Sequence, residues 1–155
     1  VNYLKILPSV LIFLLAATVL ISPDVAEAVG HEQAVTSDFI PVAILAGQSK
    51  AEVADALGSP EKCEKIKYGD KCAYKNGAVT IVFIGGKADW FTIHPKNALY
   101  HASSLSQLGL PTNIRPTFQN KHVLRWEMAP TLLEVALFPG AENTIFFIHV
   151  RARTP

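Results

Sequence analysis

Cys63 and Cys72 are the residues whose type and spacing say most about chemistry. A redox pair needs the tighter Cys-x-x-Cys spacing, and a zinc site needs further ligands at matching intervals. An even cysteine count in an exported chain favours a disulfide, and this separation suits a bond across the base of a hairpin. A joined pair leaves no sulfur to act as a nucleophile. The sequence holds no Gly-x-Ser-x-Gly elbow, His-Glu-x-x-His pair, phosphate loop or dinucleotide fingerprint. Carboxylates are sparse within candidate strands, where Asp89, Glu127 and Glu134 read as solvated strand residues before they read as a glycosidase-like pair. His94 and His149 end equivalent strands, and a pseudo-twofold between their sheets would let them approach a shared metal. Neither has a cysteine or carboxylate at ligand spacing. No catalytic residue, metal site or cofactor is therefore expected.

The elements that must position these residues are short. A polar leader covers 29–38, and an apolar stretch over 39–46 suits a strand or a helical turn. Ser49 and Glu52 then form a capping box, opening a helix with Val53, Ala54 and Leu57 on one face. Gly58 and Pro60 end that helix. The period changes to two beyond it, predicting strands near 63–68, 71–76, 78–85 and 88–94. Gly69-Asp70, Asn76-Gly77 and Gly85-Gly86 are the expected turns. A second helix is expected over 95–108, stopped by Gly109 and Pro111, with a loop over 112–120. Strands follow near 121–128, 131–138 and 143–150, with Pro139-Gly140 in the last turn.

The pattern recurs along the chain. Leu57-Gly58-Ser59-Pro60 matches Leu108-Gly109-Leu110-Pro111 at an offset of 51, and Tyr74, Phe83 and Ile93-His94 match Trp126, Leu137 and Ile148-His149 at slightly larger offsets. A tandem repeat of a helix-plus-sheet unit follows, with one unit over 39–95 and the other over 96–155. The stretch Gly47-Gln48-Ser49-Lys50-Ala51-Glu52-Val53, followed by Leu57-Gly58, resembles the signature G-x-[ST]-x-x-x-V-x-x-x-[LA]-G. That signature opens units of the β-lactamase-inhibitor-protein-like superfamily, which includes the SmpA/BamE outer-membrane assembly proteins. The resemblance also implies a cysteine pair after the Leu-Gly element and two units in tandem. The second unit departs from it, with Ala98 where Gly47 maps, Ser104 where Val53 maps, and no cysteine pair. The lipid-attachment cysteine typical of SmpA/BamE proteins is missing as well.

Alternation sorts the strand residues into two faces. Helices cover one face of such a sheet, which assigns Val79, Ile81, Phe83, Phe91, Leu124 and Trp126 to the core, with Leu133, Val135, Leu137, Phe146 and Ile148. The uncovered face then carries Lys75, Trp90, Thr92, His94, Arg125, Glu134, Phe147 and His149. Exposed Trp, Phe and Arg on a sheet are what protein-binding hot spots are made of. The interleaved Lys62, Lys65, Lys67, Lys71 and Lys75 with Glu61, Glu64 and Asp70 read as a solvated hairpin.

Residues 1–28 read as a secretory signal peptide. A weakly positive start at Lys5 precedes an apolar run over 6–21, and Ala26-Glu27-Ala28 is an A-x-A cleavage site. The run is short of the roughly 20 residues a spanning helix wants and contains Pro8. Removing 28 of the 155 residues leaves 127, and removing Lys5, Asp24 and Glu27 takes 14 basic and 13 acidic residues to 13 and 11. A formal +2 gives no nucleic-acid-binding face. The expectation is an α+β protein of two tandem units, each a short helical segment on a 3–4-stranded antiparallel sheet. It is expected to be secreted or periplasmic, monomeric and free of the membrane after cleavage. Its function is expected to be non-catalytic binding of a protein partner through Trp90, His94, Arg125, Phe147, His149 and Lys75, in the manner of an inhibitor. The alternatives are a small exported hydrolase or metal-binding protein using His94 and His149, and a structural envelope component.

Overall fold

Two-residue reversals and period-two patterning build most of the fold. The computed structural model describes residues 39–154; the expected signal peptide and leader lie outside these described residues. The elements are helix α1 (Val42–Leu45), helix α2 (Lys50–Leu57) and strands β1 (Lys62–Ile66), β2 (Gly69–Tyr74), β3 (Val79–Ile84) and β4 (Lys87–Ile93). A 3-10 helix (Ala102–Leu108) and strands β5 (Phe118–Asn120), β6 (Val123–Met128), β7 (Leu132–Pro139) and β8 (Ile145–Ala152) follow. No helix among the described residues is long and apolar enough to cross a membrane.

All eight strands belong to one antiparallel sheet of order β1-β2-β3-β4-β8-β7-β6-β5. The expected pair of tandem units, each with a helix on its own small sheet, is therefore corrected. The last strand of each meander closes the middle of a single sheet, with Trp90 opposite Arg151, Thr92 opposite His149 and Ile93 opposite Ile148. A join of this kind satisfies backbone groups that two separate sheets would leave on exposed edges.

The second expected helix also fails. Asn97 has a positive φ of 55°, and Leu99 makes an isolated bridge to Thr144. The helical segment begins only at Ala102 and is 3-10 throughout. Its serines explain part of this: Ser104 Oγ donates to the Leu99 carbonyl at 2.7 Å and Ser106 Oγ to the Ser103 carbonyl at 2.8 Å. Such local bonds compete with the i→i−4 ladder of an α-helix.

Helix α2 forms where its cap predicts. The Ser49 N–H donates to Glu52 Oε2 at 2.7 Å and the Glu52 N–H donates to Ser49 Oγ at 3.3 Å, completing the box. Gly58 closes it at φ 88°, its N–H on the Ala54 carbonyl. Of the expected helix face, Val53 is buried and Leu57 only partly so. So short an apolar stripe docks the helix without making it a layer. Lys50 ties α2 to the β1–β2 hairpin through Asp70, which also pairs with Lys65 at 2.7 Å. These two lysines hold the Asp70 carboxyl below its usual pKa.

Cys63 and Cys72 are bonded, as their spacing predicts, and sit directly opposite each other with Cα atoms 4.1 Å apart. The turn of that hairpin is Lys67-Tyr68, because Gly69 already pairs with Ile66 within the ladder. Gly69 is required there by close approach: a Cβ would lie 1.9 Å from the Phe83 carbonyl oxygen. Gly85-Gly86 does make the expected two-residue turn, both residues at positive φ between Ile84 and Lys87.

One face of the sheet carries the core. Tyr74, Ile81, Phe83, Phe91, Trp126, Val135, Leu137 and Ile148 are buried beneath Ile40, Val42, Leu45, Val53, Leu105 and Leu108. Two expected core residues are displaced. Register shifts between Leu132 and Glu134 and between Phe138 and Pro139 hand those places to Leu132 and Ile145. Leu133 becomes half-buried and Phe146 is 63% exposed. An extra residue in a strand turns every neighbour beyond it to the other face. The expected loop over 112–120 ends in β5, a three-residue edge strand too short to show a period.

Candidate functional site: the open face of the sheet

Among the described residues no helix lies over the face opposite the core, and alternation delivers its side chains from five strands. On β4, Phe91 and Ile93 go to the core while Trp90 stands 41% exposed on the other side. Arg151 on β8 lies opposite Trp90, with its guanidinium 6.0 Å from the indole ring centre. His149, two residues along β8, meets the same indole edge-on at 6.1 Å. Its imidazole is half-buried, and its pKa is lowered from the ordinary histidine value. Burial is the main cause, the Arg151 charge adds to it, and the Glu134 charge opposes it. Neutral His149 therefore acts as an aromatic partner of Trp90 as well as a polar one.

Arg125 on β6 forms a second cluster. Its guanidinium lies 5.5 Å from the ring centre of Phe118 on the edge strand, which is itself 47% exposed. Its Nε faces Glu134 Oε2 at 3.3 Å as an ion pair without hydrogen-bond alignment. Arg125 is opposite Ala136, which is opposite His149, so one cross-strand row runs Phe118, Arg125, Ala136, His149, Thr92.

The third cluster is aromatic. Phe147 stacks on Phe138 at 4.3 Å with the rings 16° from parallel. His94 lies 6.2 Å from Phe147 and 6.0 Å from Phe146, and His94 Nδ1–H donates to the Phe146 carbonyl at 3.2 Å. The carbonyl accepts only, which fixes the proton on Nδ1 in the neutral ring.

The structure thus brings Trp90, His149, Arg125, Phe147 and His94 onto one surface. It sets Lys75 apart, in the β2–β3 turn, where it lines a cleft with His94. Four further residues of the surface were not foreseen. Arg151 follows His149 by two in the same strand and was legible from alternation. Phe138 shares the parity of Glu134 and was legible in the same way, whereas Phe146 was hidden by a register shift and Phe118 by the shortness of its strand. The carboxylates separate: Glu134 belongs to the open face, whereas buried Asp89 accepts a hydrogen bond from Thr154 Oγ1. Glu127 is exposed on β6. No group of three or more histidine, cysteine or carboxylate residues among those described could hold a metal ion.

No family model, curated protein or solved structure matches the chain.

Proposed function

We infer that the chain is a non-catalytic protein-binding module, secreted or periplasmic, that grips a protein partner through the open face of its sheet. The observation that carries this reading is the pairing of exposed aromatic rings with arginines across that face: Trp90 with Arg151, and Phe118 with Arg125. Large rings and guanidinium groups contribute most when buried at an interface. Here they already hold one another in place, which lowers the ordering cost of binding. The charge balance favours a partner that offers a carboxylate beside an apolar knob, since Arg125 and Arg151 share Glu134 as their acidic neighbour. The Cys63–Cys72 disulfide suits work in an oxidising compartment. The likeness of residues 47–58 to inhibitor-type units agrees with a binding role, although shared ancestry of a fold does not carry function.

Photo-crosslinking tests the reading. p-Benzoylphenylalanine placed at Trp90 or Phe146 should join the chain to its partner in the exported-protein fraction. The same probe at Asp55, exposed on α2 and away from the open face, should not. A partner joined from position 55 and from neither 90 nor 146 would place the binding surface on the helical side and end this proposal.

A further inference from the structure

A cleft of about 630 Å³ opens where the β2–β3 turn meets the chain leaving β4. That size lies within the range of small-molecule sites, roughly 300–1,000 Å³. Ile40, Val79 and Ile93 form its apolar floor, and Lys75, His94 and Lys96 stand around it. No carboxylate is among the described lining residues. Several lysines elsewhere on the protein are paired with carboxylates. Lys50 and Lys65 are paired with Asp70, and Lys62 and Lys71 with Glu64. Lys75 and Lys96 have no ion pair among the described residues, and both are exposed.

The turn that presents Lys75 is held in an uncommon backbone state. Lys75 has φ 52° and Asn76 φ 56°, and the residue after them, Gly77, also has positive φ. Side chains other than glycine seldom adopt that region, and such residues persist where surroundings fix them. The fixing contact is visible: the Asn76 N–H donates to Glu61 Oε1 at 2.8 Å. Across the cleft, the His94 ring is oriented by its bond to the Phe146 carbonyl, and its Nε2 has no hydrogen-bond partner among the described residues. Two lysines without an ion pair among the described residues and an oriented imidazole therefore line one cleft with an apolar floor.

We propose that this cleft binds a small amphiphilic carboxylate, its headgroup between Lys75 and Lys96 beside His94 and its apolar body against Ile40, Val79 and Ile93. The carboxylate supplies the charge the cleft lacks, and the apolar body uses a floor that a free inorganic anion would leave uncovered. The lysine stems extend the apolar wall while their ammonium groups reach the headgroup. The contact is partly exposed to solvent, so its affinity falls as salt rises.

The test is titration of the whole chain with octanoate, followed by amide resonances, with acetate and octanol as separate arms. Octanoate should give saturable shifts over residues 75–78 and at Ile93, His94 and Lys96, with acetate and octanol each at least about tenfold weaker. The double variant Lys75→Glu/Lys96→Glu should weaken octanoate by about tenfold or more, with its melting temperature unchanged because both side chains are exposed. Three results would each overturn the proposal: no saturable shift in the unsubstituted chain, octanol binding as tightly as octanoate, or octanoate affinity surviving the double charge reversal.

Discussion

The two meanders of the sheet are built by different means. In β1–β4 the stabilising devices are close in sequence. A disulfide spans nine residues, a capping box spans three, and a two-residue glycine turn joins β3 to β4. In β5–β8 they are not. Trp126 is buried and donates its Nε1–H to the Ile114 carbonyl at 3.2 Å, twelve residues back and beyond β5. Three of the sheet's four register shifts fall in the pairs that β7 makes with its two neighbours. The first meander is fixed mainly by contacts close in sequence, and the second by contacts between more distant segments. Most of the open-face aromatics come from the second meander. Irregular strands re-aim side chains, which is how Phe146 leaves the core and reaches solvent.

Breaking this contrast should be easiest at Trp126. Trp126→Ala removes the largest fully buried side chain and leaves the Ile114 carbonyl without its donor. It should cost about 3–5 kcal/mol in urea denaturation, with exchange protection lost first in β6 and β7. Equal early loss in β1 and β2 would mean that the two meanders unfold as one, and the contrast would not extend to energetics.

Removing the disulfide is the matching experiment on the other side. Cys63→Ser/Cys72→Ser should cost about 2–3 kcal/mol, the loop-closure contribution of so short a loop. Its effect on exchange should centre on β1 and β2 and leave the Trp90 to Arg151 surface intact. Capture of a partner that fell in proportion to the stability loss would instead tie the open face to the far edge of the sheet. The smallest effect is expected at the cap: Ser49→Ala should cost about 1 kcal/mol. Ser49→Asp, which preserves the acceptor, should restore most of it. A cap variant that destabilised as much as Trp126→Ala would show that α2 contributes far more than its short buried stripe suggests.

Legibility followed the same division. The capping box, the Gly85-Gly86 turn and the cysteine pair are signals whose partners lie within a few residues, so reading along the chain found them. Gly69 carries a subtler lesson. It looked like a turn residue, yet it is needed because the Phe83 backbone passes beside it, and that neighbour is fourteen residues away. The expected helix over 95–108 failed because its serines bond nearby carbonyls and Leu99 is drawn into a bridge with Thr144. For the open face, alternation placed Trp90, His94 and His149 on one side because the β4–β8 pairing is free of register shifts. It misplaced Leu133 and Phe146, because nothing local marks where a ladder slips.

What the sequence by itself determined is the set of short-range devices: which cysteines pair, where α2 begins and ends, and which strands alternate cleanly. Whether the two meanders would stand as separate units or share one sheet was decided only by the tertiary structure. The choice depends on β4 and β8 meeting edge to edge, and their paired residues lie 55 to 61 positions apart. Hydrogen bonds between strands carry no signature in either strand alone. They are formed because an unpaired edge on each meander would leave backbone donors and acceptors unsatisfied, and one continuous sheet satisfies both.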